Sequence, residues 1–355
     1  MGRVMIFGCR QPRRKNQKKG NADMGVKMAR IQEIVASFRD QQILVVGDLM
    51  LDQYIHGKVD RISPEAPVPV VRVTHEENVP GGASNVAWNI KSLGGTVTVA
   101  GILGKDQDAE TLKRLLLQEG VSIEPVICDE EMATTVKTRV VAERQQVVRI
   151  DRDREGSYYP KDLLQIFCKR LENVAKQATG IIIEDYGKGL VEQDVVDCVL
   201  KTAKETDIPV GFDPKDNHAL NVSGVTLATP NLHEAFLAAG IREPNSITED
   251  DPSLQIVGKI LLKKWKPEHL LMTLGPLGMC LLTQGHKSQH VPTRAREVFD
   301  VSGAGDTVMA MCLLALSAGA SFYEAAECAN AAAGVVVGKL GTATCSKEEL
   351  LDCFR

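Results

Sequence analysis

The sequence lacks the patterns that mark disulfide-bonded, zinc-binding or membrane-spanning proteins. Its nine cysteines form no CxxC pair and have no histidine partner at zinc-site spacing, which predicts free thiols in a reducing, cytoplasmic compartment. The longest run without a charged residue, 307–323, is short for a membrane helix and is diluted with Ser, Gly and Thr. The formal net charge of -4 gives no electrostatic reason to expect a nucleic acid partner.

Three familiar nucleotide-binding patterns are also missing. No GxGxxG follows the first apolar strand, which disfavours a dinucleotide-binding oxidoreductase. The nearest approach to a P-loop, beginning at Gly101, has the wrong spacing and ends in aspartate. The HRD and DFG elements of protein kinases are absent as well. Any phosphate chemistry in this chain must therefore use a different arrangement.

The first 40 residues differ in character from the rest of the chain. Residues 10–19 are basic and polar and cannot pack a core, so we predict a disordered N-terminal tail over residues 1–40. An amphipathic helix candidate lies near residues 28–39, and no apolar run follows the basic stretch as a secretory signal would require. We expect one catalytic domain over residues 41–355.

Within that domain the pattern predicts an α/β fold of three layers around a mostly parallel sheet. Residues 42–47 form a continuous apolar run, which is typical of a parallel strand buried on both faces. From about residue 159 strands and helices alternate regularly. Two segments, about 53–75 and 134–151, depart from this pattern, because the first holds three prolines and the second alternates like a hairpin. We interpret both as a small β lid.

The stretch around which the chain is organised is Asp300-Val-Ser-Gly-Ala-Gly-Asp306, which leads directly into an apolar helical segment. Gly303 and Gly305 permit a tight turn and a close approach of backbone to ligand. The free N–H groups of a first helical turn attract anions, so the turn fits charge developing on a phosphoryl group. Asp306 could then accept a proton from an attacking hydroxyl. On these residues alone, an aspartate cap on a buried helix is an equally good interpretation.

Further candidates follow predicted strands or lie on the lid. Ligands of doubly wound sheets bind at the carboxyl ends of strands, and arginine or lysine on a lid hairpin could gather an anionic group. Strand-end turns, helix caps and protection of a sheet edge remain alternatives for these positions. The candidates for sugar or sugar-phosphate contacts are Asp48, Asp52, Gly81, Gly82, Asn85, Lys137, Arg139, Asp185 and Lys188.

The segments 81–85 and 300–306 together resemble the two signatures of the PfkB, or ribokinase-like, carbohydrate kinases. The resemblance covers about residues 41–355, although Val301 replaces the more usual threonine. Within this family, residues 47–54 with Arg61-Ile-Ser-Pro-Glu-Ala-Pro-Val-Pro-Val70, residues 137–151 and residues 185–189 resemble the heptose 7-phosphate kinases of ADP-heptose synthesis. Bifunctional members continue into a nucleotidylyltransferase domain, so a chain ending at Arg355 resembles the kinase-only form.

The resemblance implies that ATP and Mg²⁺ support phosphorylation of D-glycero-β-D-manno-heptose 7-phosphate at O1. It makes Asp306 the base, with Gly303, Ala304 and Gly305 as the anion hole, and it makes Asn231 and Glu234 the residues that order Mg²⁺. The implied nucleotide-binding residues are Asn231, Leu232, His233, Glu234, Gly275, Gly278 and Asn330.

The same resemblance gives the sugar-side candidates their roles. It implies that Asp48, Asn85 and Asp185 hold sugar hydroxyls, and we expect Lys188, with Lys137 or Arg139, to bind the substrate phosphate. Lid strands with unpaired edges predict a homodimer in which two lids meet. Two alternatives stay open: a PfkB kinase for another sugar, such as fructose 6-phosphate, and a catalytically silent sugar-binding protein on the same fold.

Overall fold

A computed structural model describes residues 26–143, 145–153, 159–215, 218–295 and 297–355. The helices in these ranges are α1 (Met28–Ala36), α2 (Ala83–Ser92), α3 (Gln107–Gln118), α4 (Lys161–Ala175), α5 (Gln193–Thr206), α6 (Leu232–Ala239), α7 (Pro252–Lys264), α8 (Ala304–Ser317), α9 (Phe322–Val336) and α10 (Lys347–Asp352). The strands are β1 (Gln42–Gly47), β2 (Leu49–Ile62), β3 (Pro69–Gly82), β4 (Thr96–Ala100), β5 (Ile102–Gly104), β6 (Ile127–Asp129), β7 (Thr135–Ala142), β8 (Gln145–Arg152), β9 (Gly180–Glu184), β10 (Val210–Asp213), β11 (Leu227–Ala228), β12 (His269–Thr273), β13 (Met279–Thr283) and β14 (Gln289–Val291).

The central sheet has the strand order β14-β13-β12-β11-β10-β9-β1-β4. The six strands β4, β1, β9, β10, β11 and β12 run parallel to one another. Strands β13 and β14 are added antiparallel at the edge beyond β12. Along β1, Ile43 and Val45 face one helical layer while Leu44 and Val46 face the other. This two-sided burial explains the continuous apolar run, and the prediction of a three-layer, mostly parallel fold is confirmed.

The two faces of the sheet are covered by different helices. Residues of α1, α2, α3, α8, α9 and α10 form one apolar cluster, and residues of α4, α5, α6 and α7 form the other. Helix α8 is buried almost throughout its length and packs on β9 and β10. A Cβ atom at Gly211 would lie 2.6 Å from the Sδ atom of Met309, so glycine in β10 permits this close approach. No helix in the described ranges is long and apolar enough to cross a membrane.

The amphipathic helix predicted near residues 28–39 is confirmed, because these residues form α1 and a 3₁₀ turn over Ser37–Asp40, and the disordered tail predicted over residues 1–40 is wrong for this part. Their apolar side chains recur at helical spacing, and Ile31, Ile34 and Phe38 are fully buried against the core. Arg30 Nε also donates to Glu324 Oε1 on α9 at 2.9 Å. Burial of this apolar stripe therefore orders a segment whose sequence neighbours are strongly polar. The rest of the predicted tail, residues 1–25, lies outside the described residues.

A second sheet of order β3-β2-β7-β8 forms the lid that the sequence predicts. Strands β2 and β7 pair in parallel, and β2 pairs antiparallel with β3 over their whole lengths, with irregularities near Gly57 and Arg61. The first lid segment is longer than the predicted range of about 53–75. Strand β2 begins at Leu49 directly after β1, and β3 continues to Gly82 at the start of α2. Both ends of this long hairpin therefore meet at the carboxyl edge of the central sheet.

Candidate active site

The carboxyl ends of three parallel strands meet the first turn of α8. Pairing in the sheet places Glu184 of β9 between Gly47 of β1 and Asp213 of β10. Asp306 lies in the first turn of α8 and is only 6% exposed. The strand ends and the helix start thus build one buried, strongly acidic region.

Both carboxylate oxygens of Asp306 accept short hydrogen bonds. The Tyr186 hydroxyl donates to Oδ1 at 2.5 Å, and Asn85 Nδ2 donates to Oδ2 at 2.6 Å. Burial raises the pKa of Asp306, while these two hydrogen bonds act in the opposite direction because they favour the charged form. The arrangement aims a carboxylate and restrains its protonation, as a proton acceptor in a phosphoryl transfer requires.

Asn85 belongs to a polar chain that joins α2 to α8. Asn89 Nδ2 donates to the backbone oxygen of Asn85 at 3.0 Å, and the Thr307 hydroxyl donates to Asn89 Oδ1 at 2.9 Å. All three side chains are fully buried. The structure therefore shows Asn85 supporting Asp306, and its predicted contact with a sugar hydroxyl stays a prediction.

The turn before α8 adopts the conformation that its glycines suggest. Gly303 has φ of 75°, and a Cβ atom there would lie 2.8 Å from Asn85 Nδ2. The Ala304 N–H donates to the Val301 carbonyl at 3.2 Å. Within the described residues, no acceptor takes the N–H of Gly305 or Asp306. The Gly303 N–H has no acceptor among the described residues either, so two of the three predicted anion-hole donors are open and the Asp306 N–H adds another.

Asp48 and Asp185 hold the loop 186–190 in place. Asp48 accepts the backbone N–H groups of Tyr186 and Lys188, each at 3.0 Å, and that of Leu190 at 3.2 Å. Burial raises the pKa of Asp48 to about 6 in spite of these bonds. Asp185 accepts the Gly187 N–H at 2.8 Å and bonds His218 Nδ1 at 2.5 Å, which raises the pKa of His218. These contacts order the loop, and the predicted contacts of Asp48 and Asp185 with sugar hydroxyls stay predictions.

Gly81 and Gly82 permit close packing between the lid and the strand-end residues. A Cβ atom at Gly81 would lie 2.9 Å from the Asp52 carboxyl, and one at Gly82 would lie 2.6 Å from the Asp48 carbonyl. Gly82 also has φ of 55°, which L side chains rarely adopt. Protein packing accounts for both glycines, and their predicted approach to a ligand stays a prediction.

The three basic candidates have different partners. Arg139 Nη1 pairs with Asp52 Oδ1 at 2.8 Å in a largely buried ion pair, and Lys188 Nζ pairs with Asp153 Oδ2 at 2.5 Å. Lys137 Nζ lies 5.2 Å from the centre of the Tyr186 ring. No carboxylate of the described residues lies within ion-pair distance of Lys137, and burial lowers its pKa. Lys137 is therefore the basic candidate best able to receive an anion.

On the other side of the α8 turn lies an apolar cleft of about 200 Å³. It is lined by Gly275, Gly278 and Asn330 among the predicted nucleotide residues, and it reaches Ala304 and Gly305. Gly278 has φ of 89°, and a Cβ atom there would contact backbone of residues 291–293. The structure thus brings these predicted residues together beside the open N–H groups of α8.

The segment 231–234 forms the start of α6. Asn231 and Glu234 make a reciprocal capping box, with each side chain accepting the backbone N–H of the other residue at 2.9 Å. Leu232 packs against the apolar core, and the exposed His233 ring bonds Glu243 at 3.0 Å. Neither of these two side chains lines the apolar cleft, and their predicted contacts with the nucleotide stay predictions.

Sequence reasoning missed two residues, Glu184 and Tyr186. Glu184 is fully buried, and neither of its oxygens receives a hydrogen bond from an N–H or O–H group of the described residues. Burial and repulsion from Asp213 raise the pKa of Glu184 well above its usual range. A proton shared with Asp213 is consistent with both observations. An acidic residue ending an otherwise apolar strand is the sequence signal that could have identified Glu184.

Comparison with known proteins agrees with this geometry. The chain is 42% identical over 319 residues to the bifunctional protein HldE of Nitrosococcus oceani and 42% identical over 324 residues to that of Geobacter metallireducens. These alignments cover 88% and 90% of this chain, which spans 64% of the length of each relative.

Solved structures show the same fold at low identity. Arabidopsis thaliana ribokinase complexed with ribose and ATP matches with a TM-score of 0.67 at 20% identity, covering 89% of this chain and 99% of that chain. Escherichia coli phosphofructokinase-2 in complex with potassium matches with a TM-score of 0.68 at 20% identity, covering 88% and 98%. These matches show a ribokinase-like fold. The family model described as pfkB family carbohydrate kinase matches residues 40–349, and the chain therefore belongs to the pfkB family of carbohydrate kinases.

Proposed function

We propose that this chain transfers the terminal phosphoryl group of ATP to O1 of D-glycero-β-D-manno-heptose 7-phosphate, a step of ADP-heptose synthesis. The observation that carries the substrate is the similarity to HldE proteins at 42% identity over 88–90% of the chain. The lid segment 61–70, which resembles the heptose 7-phosphate kinases, supports the same choice. Family membership supports a sugar kinase in any case.

The described residues fit a bound ATP. The cleft beside α8 is apolar and is lined by Gly275, Gly278 and Asn330, as a nucleobase requires. It ends at the open N–H groups of Gly305 and Asp306, which suit phosphate oxygens. ATP supplies the phosphoryl group, and the protein supplies alignment and donors for the developing charge.

The described residues also fit Mg²⁺ bound jointly with phosphates. No three His, Cys, Asp or Glu side chains in the described ranges are grouped to hold a metal ion by themselves. Mg²⁺ in such enzymes is typically held by one or two carboxylates together with phosphate oxygens. Burial, followed by repulsion from Glu234, raises the pKa of Asp213 to about 8, and a divalent cation bound beside these carboxyl groups would offset that repulsion. We assign Glu234 and Asn231 to this role.

Asp306 accepts the proton of the sugar hydroxyl as the bond to phosphorus forms. Its two hydrogen bonds fix both oxygens, and its burial excludes solvent from the carboxylate. The N–H groups of Gly305 and Asp306 donate to charge that develops on the transferred group. The lid closes over this site from the other side, which limits transfer of the phosphoryl group to water.

We assign the phosphate of the substrate to Lys137 and Lys188. The two ammonium groups are close enough that Lys188 contributes to lowering the pKa of Lys137, after the larger effect of burial. Two neighbouring cations repel each other and gain most from a dianionic ligand. The ion pair of Arg139 with Asp52 is more buried than that of Lys188 with Asp153, so we assign Arg139 to holding the two lid strands together.

We also propose that the enzyme is cytoplasmic and that two lids meet in a homodimer. Val147, Val148 and Ile150 on β8, at one edge of the lid sheet, are 38%, 46% and 54% exposed, and such an apolar edge strand favours pairing with a second copy. Sedimentation of the wild type and of Ile150→Lys tests this. We expect the wild type to sediment as a dimer and the variant as a monomer. A monomeric wild type contradicts the proposal.

The function is tested by coupled ADP release with heptose 7-phosphate, fructose 6-phosphate and ribose. Turnover with the heptose phosphate alone, lost in Asp306→Asn, is the expected result. Efficient turnover with another sugar retains the kinase mechanism and overturns the substrate. Absence of turnover with every sugar favours a silent sugar-binding protein, which equilibrium binding of the same sugars then identifies.

A further inference from the structure

We propose that Tyr186 is a positioning residue that keeps Asp306 ionised and aimed at the acceptor hydroxyl. The inference rests on the proposed function, because the proton that Asp306 accepts is that of the sugar. Tyr186 follows β9 in the loop 185–190, and the family signatures at 81–85 and 300–306 do not include it.

The Tyr186 phenol is fixed by contacts with three separate parts of the protein. Its hydroxyl donates to Asp306 Oδ1 at 2.5 Å. Its backbone N–H donates to Asp48 Oδ2 at 3.0 Å, which anchors the start of the loop to the end of β1. Lys137 Nζ from the lid lies 5.2 Å from the ring centre. Central sheet, lid and α8 therefore all determine where this hydroxyl points.

A phenol is well suited to this position because it stays a hydrogen-bond donor. Burial, followed by repulsion from Asp306 and Glu184, raises the pKa of Tyr186 well above its usual range. The group therefore remains protonated and neutral at physiological pH. A lysine here would form an ion pair and weaken the base, whereas phenylalanine would leave one oxygen of a buried carboxylate without this donor.

The charges around Asp306 show why this donor is needed. Asp52 from β2, Glu184 from β9 and Asp213 from β10 repel an ionised Asp306. Lys137 from β7 is the cation that opposes them, and its own charge is disfavoured by burial. Asn85 from α2 is neutral and donates to the other oxygen. Arg139 from β7 already pairs with Asp52, so without Tyr186 the side-chain hydrogen bond from Asn85 would be the one left to the buried Asp306 carboxylate among the described residues.

The test is the pH dependence of kcat/KM for Tyr186→Phe against wild type. We expect the acidic limb to move up by about one pH unit, because one hydrogen bond to the charged form is lost. On the acidic side of both limbs kcat/KM then falls ~10-fold, and it recovers at high pH, while KM for the sugar changes little. The matched control is Tyr323→Phe on α9, which removes a hydrogen bond of 3.1 Å from the Tyr323 hydroxyl to Glu327. This variant should leave the acidic limb of the pH profile in place.

A titration that needs no substrate separates this inference from the proposed function. Aspartate labelled with ¹³C at the carboxyl carbon is followed by NMR in wild type and Tyr186→Phe, with Asp306→Asn used for assignment. An Asp306 signal that titrates at higher pH in the variant supports the inference even where no tested sugar turns over. An unchanged Asp306 titration, or a loss of activity equal at every pH, overturns it while the kinase function stands.

Discussion

The two sides of the first turn of α8 are built on different principles. On the sugar side the acidic groups have protein donors, because Asp306 is bonded by Tyr186 and Asn85, and Asp52 by Arg139. On the nucleotide side lie an apolar cleft and N–H groups that no described residue uses. On the sugar side, protein side chains already bond the carboxylates of Asp306 and Asp52. On the nucleotide side, backbone N–H groups remain available to an anion.

The difference arises from the charge that each ligand brings. A sugar hydroxyl is neutral, so the protein must supply the charged base and must offset the cost of burying it with fixed donors. ATP brings its own charge, so open N–H groups at a helix start suffice to attract it. Preorganisation is therefore concentrated where the proton is transferred.

Asp306→Asn removes the base from the prepared side and should have the largest effect. We expect turnover to fall by a few powers of ten, about 3–5 kcal/mol in the barrier, because no other described group reaches the same position. The KM for ATP should change little, since the cleft lies across the turn. Steady-state kinetics measure both values, and retention of a tenth of wild-type turnover would contradict the assignment.

Gly303→Ala and Gly305→Ala test the turn between the two sides. Alanine at position 303 must adopt φ of 75° with its Cβ near Asn85 Nδ2, whereas a Cβ at position 305 has no atom within 4 Å. We expect Gly303→Ala to lower the free energy of unfolding by about 1–3 kcal/mol and Gly305→Ala to leave it unchanged or raise it by up to about 1 kcal/mol. Denaturant unfolding measures the difference, and equal losses would show that the turn is not strained.

Asp213→Asn tests the acidic region beneath both sides. The pKa of Asp213 is raised to about 8 by burial and by Glu234, so its folded state binds a proton that the unfolded chain releases near pH 4. This contribution to stability is complete below about pH 4 and is lost as pH rises toward 8, by at most ~1.4 kcal/mol per pH unit. We expect the variant to have a flatter stability profile in that window. Denaturant unfolding from pH 5 to pH 8 measures it, and parallel profiles would contradict the assigned pKa shift.

Lys188→Met should have the smallest effect, confined to the substrate phosphate. We expect KM for heptose 7-phosphate to rise ~10-fold with little change in kcat, because an ion pair to a ground-state group contributes uniform binding. Arg114→Met, at an exposed position of α3, is the control. A fall in kcat with unchanged KM would place Lys188 at the transferred group instead.

The sequence by itself determined the parts that depend on neighbouring residues. The apolar run 42–47, the alternation after residue 159 and the proline-rich segment 61–70 predict a parallel sheet with a lid, because periodicity and turn chemistry are local. The glycine motif likewise predicts the turn before α8 with Asp306 in the first helical turn, since the motif contains both, whereas the role of Asp306 as a base stays a prediction.

Only the tertiary structure decided which groups act on one another. Tyr186 and Asn85 meet Asp306 across 120 and 221 residues of chain, and no local pattern shows that their donors converge. Asp48, whose predicted contact with a sugar stays a prediction, orders the loop 186–190 from 138 residues away. The sequence predicts an amphipathic helix near residues 28–39 inside a disordered tail, and packing on α10 and β4 orders that helix and the turn after it. In each case burial selected the partner, and burial is a property of the assembled fold.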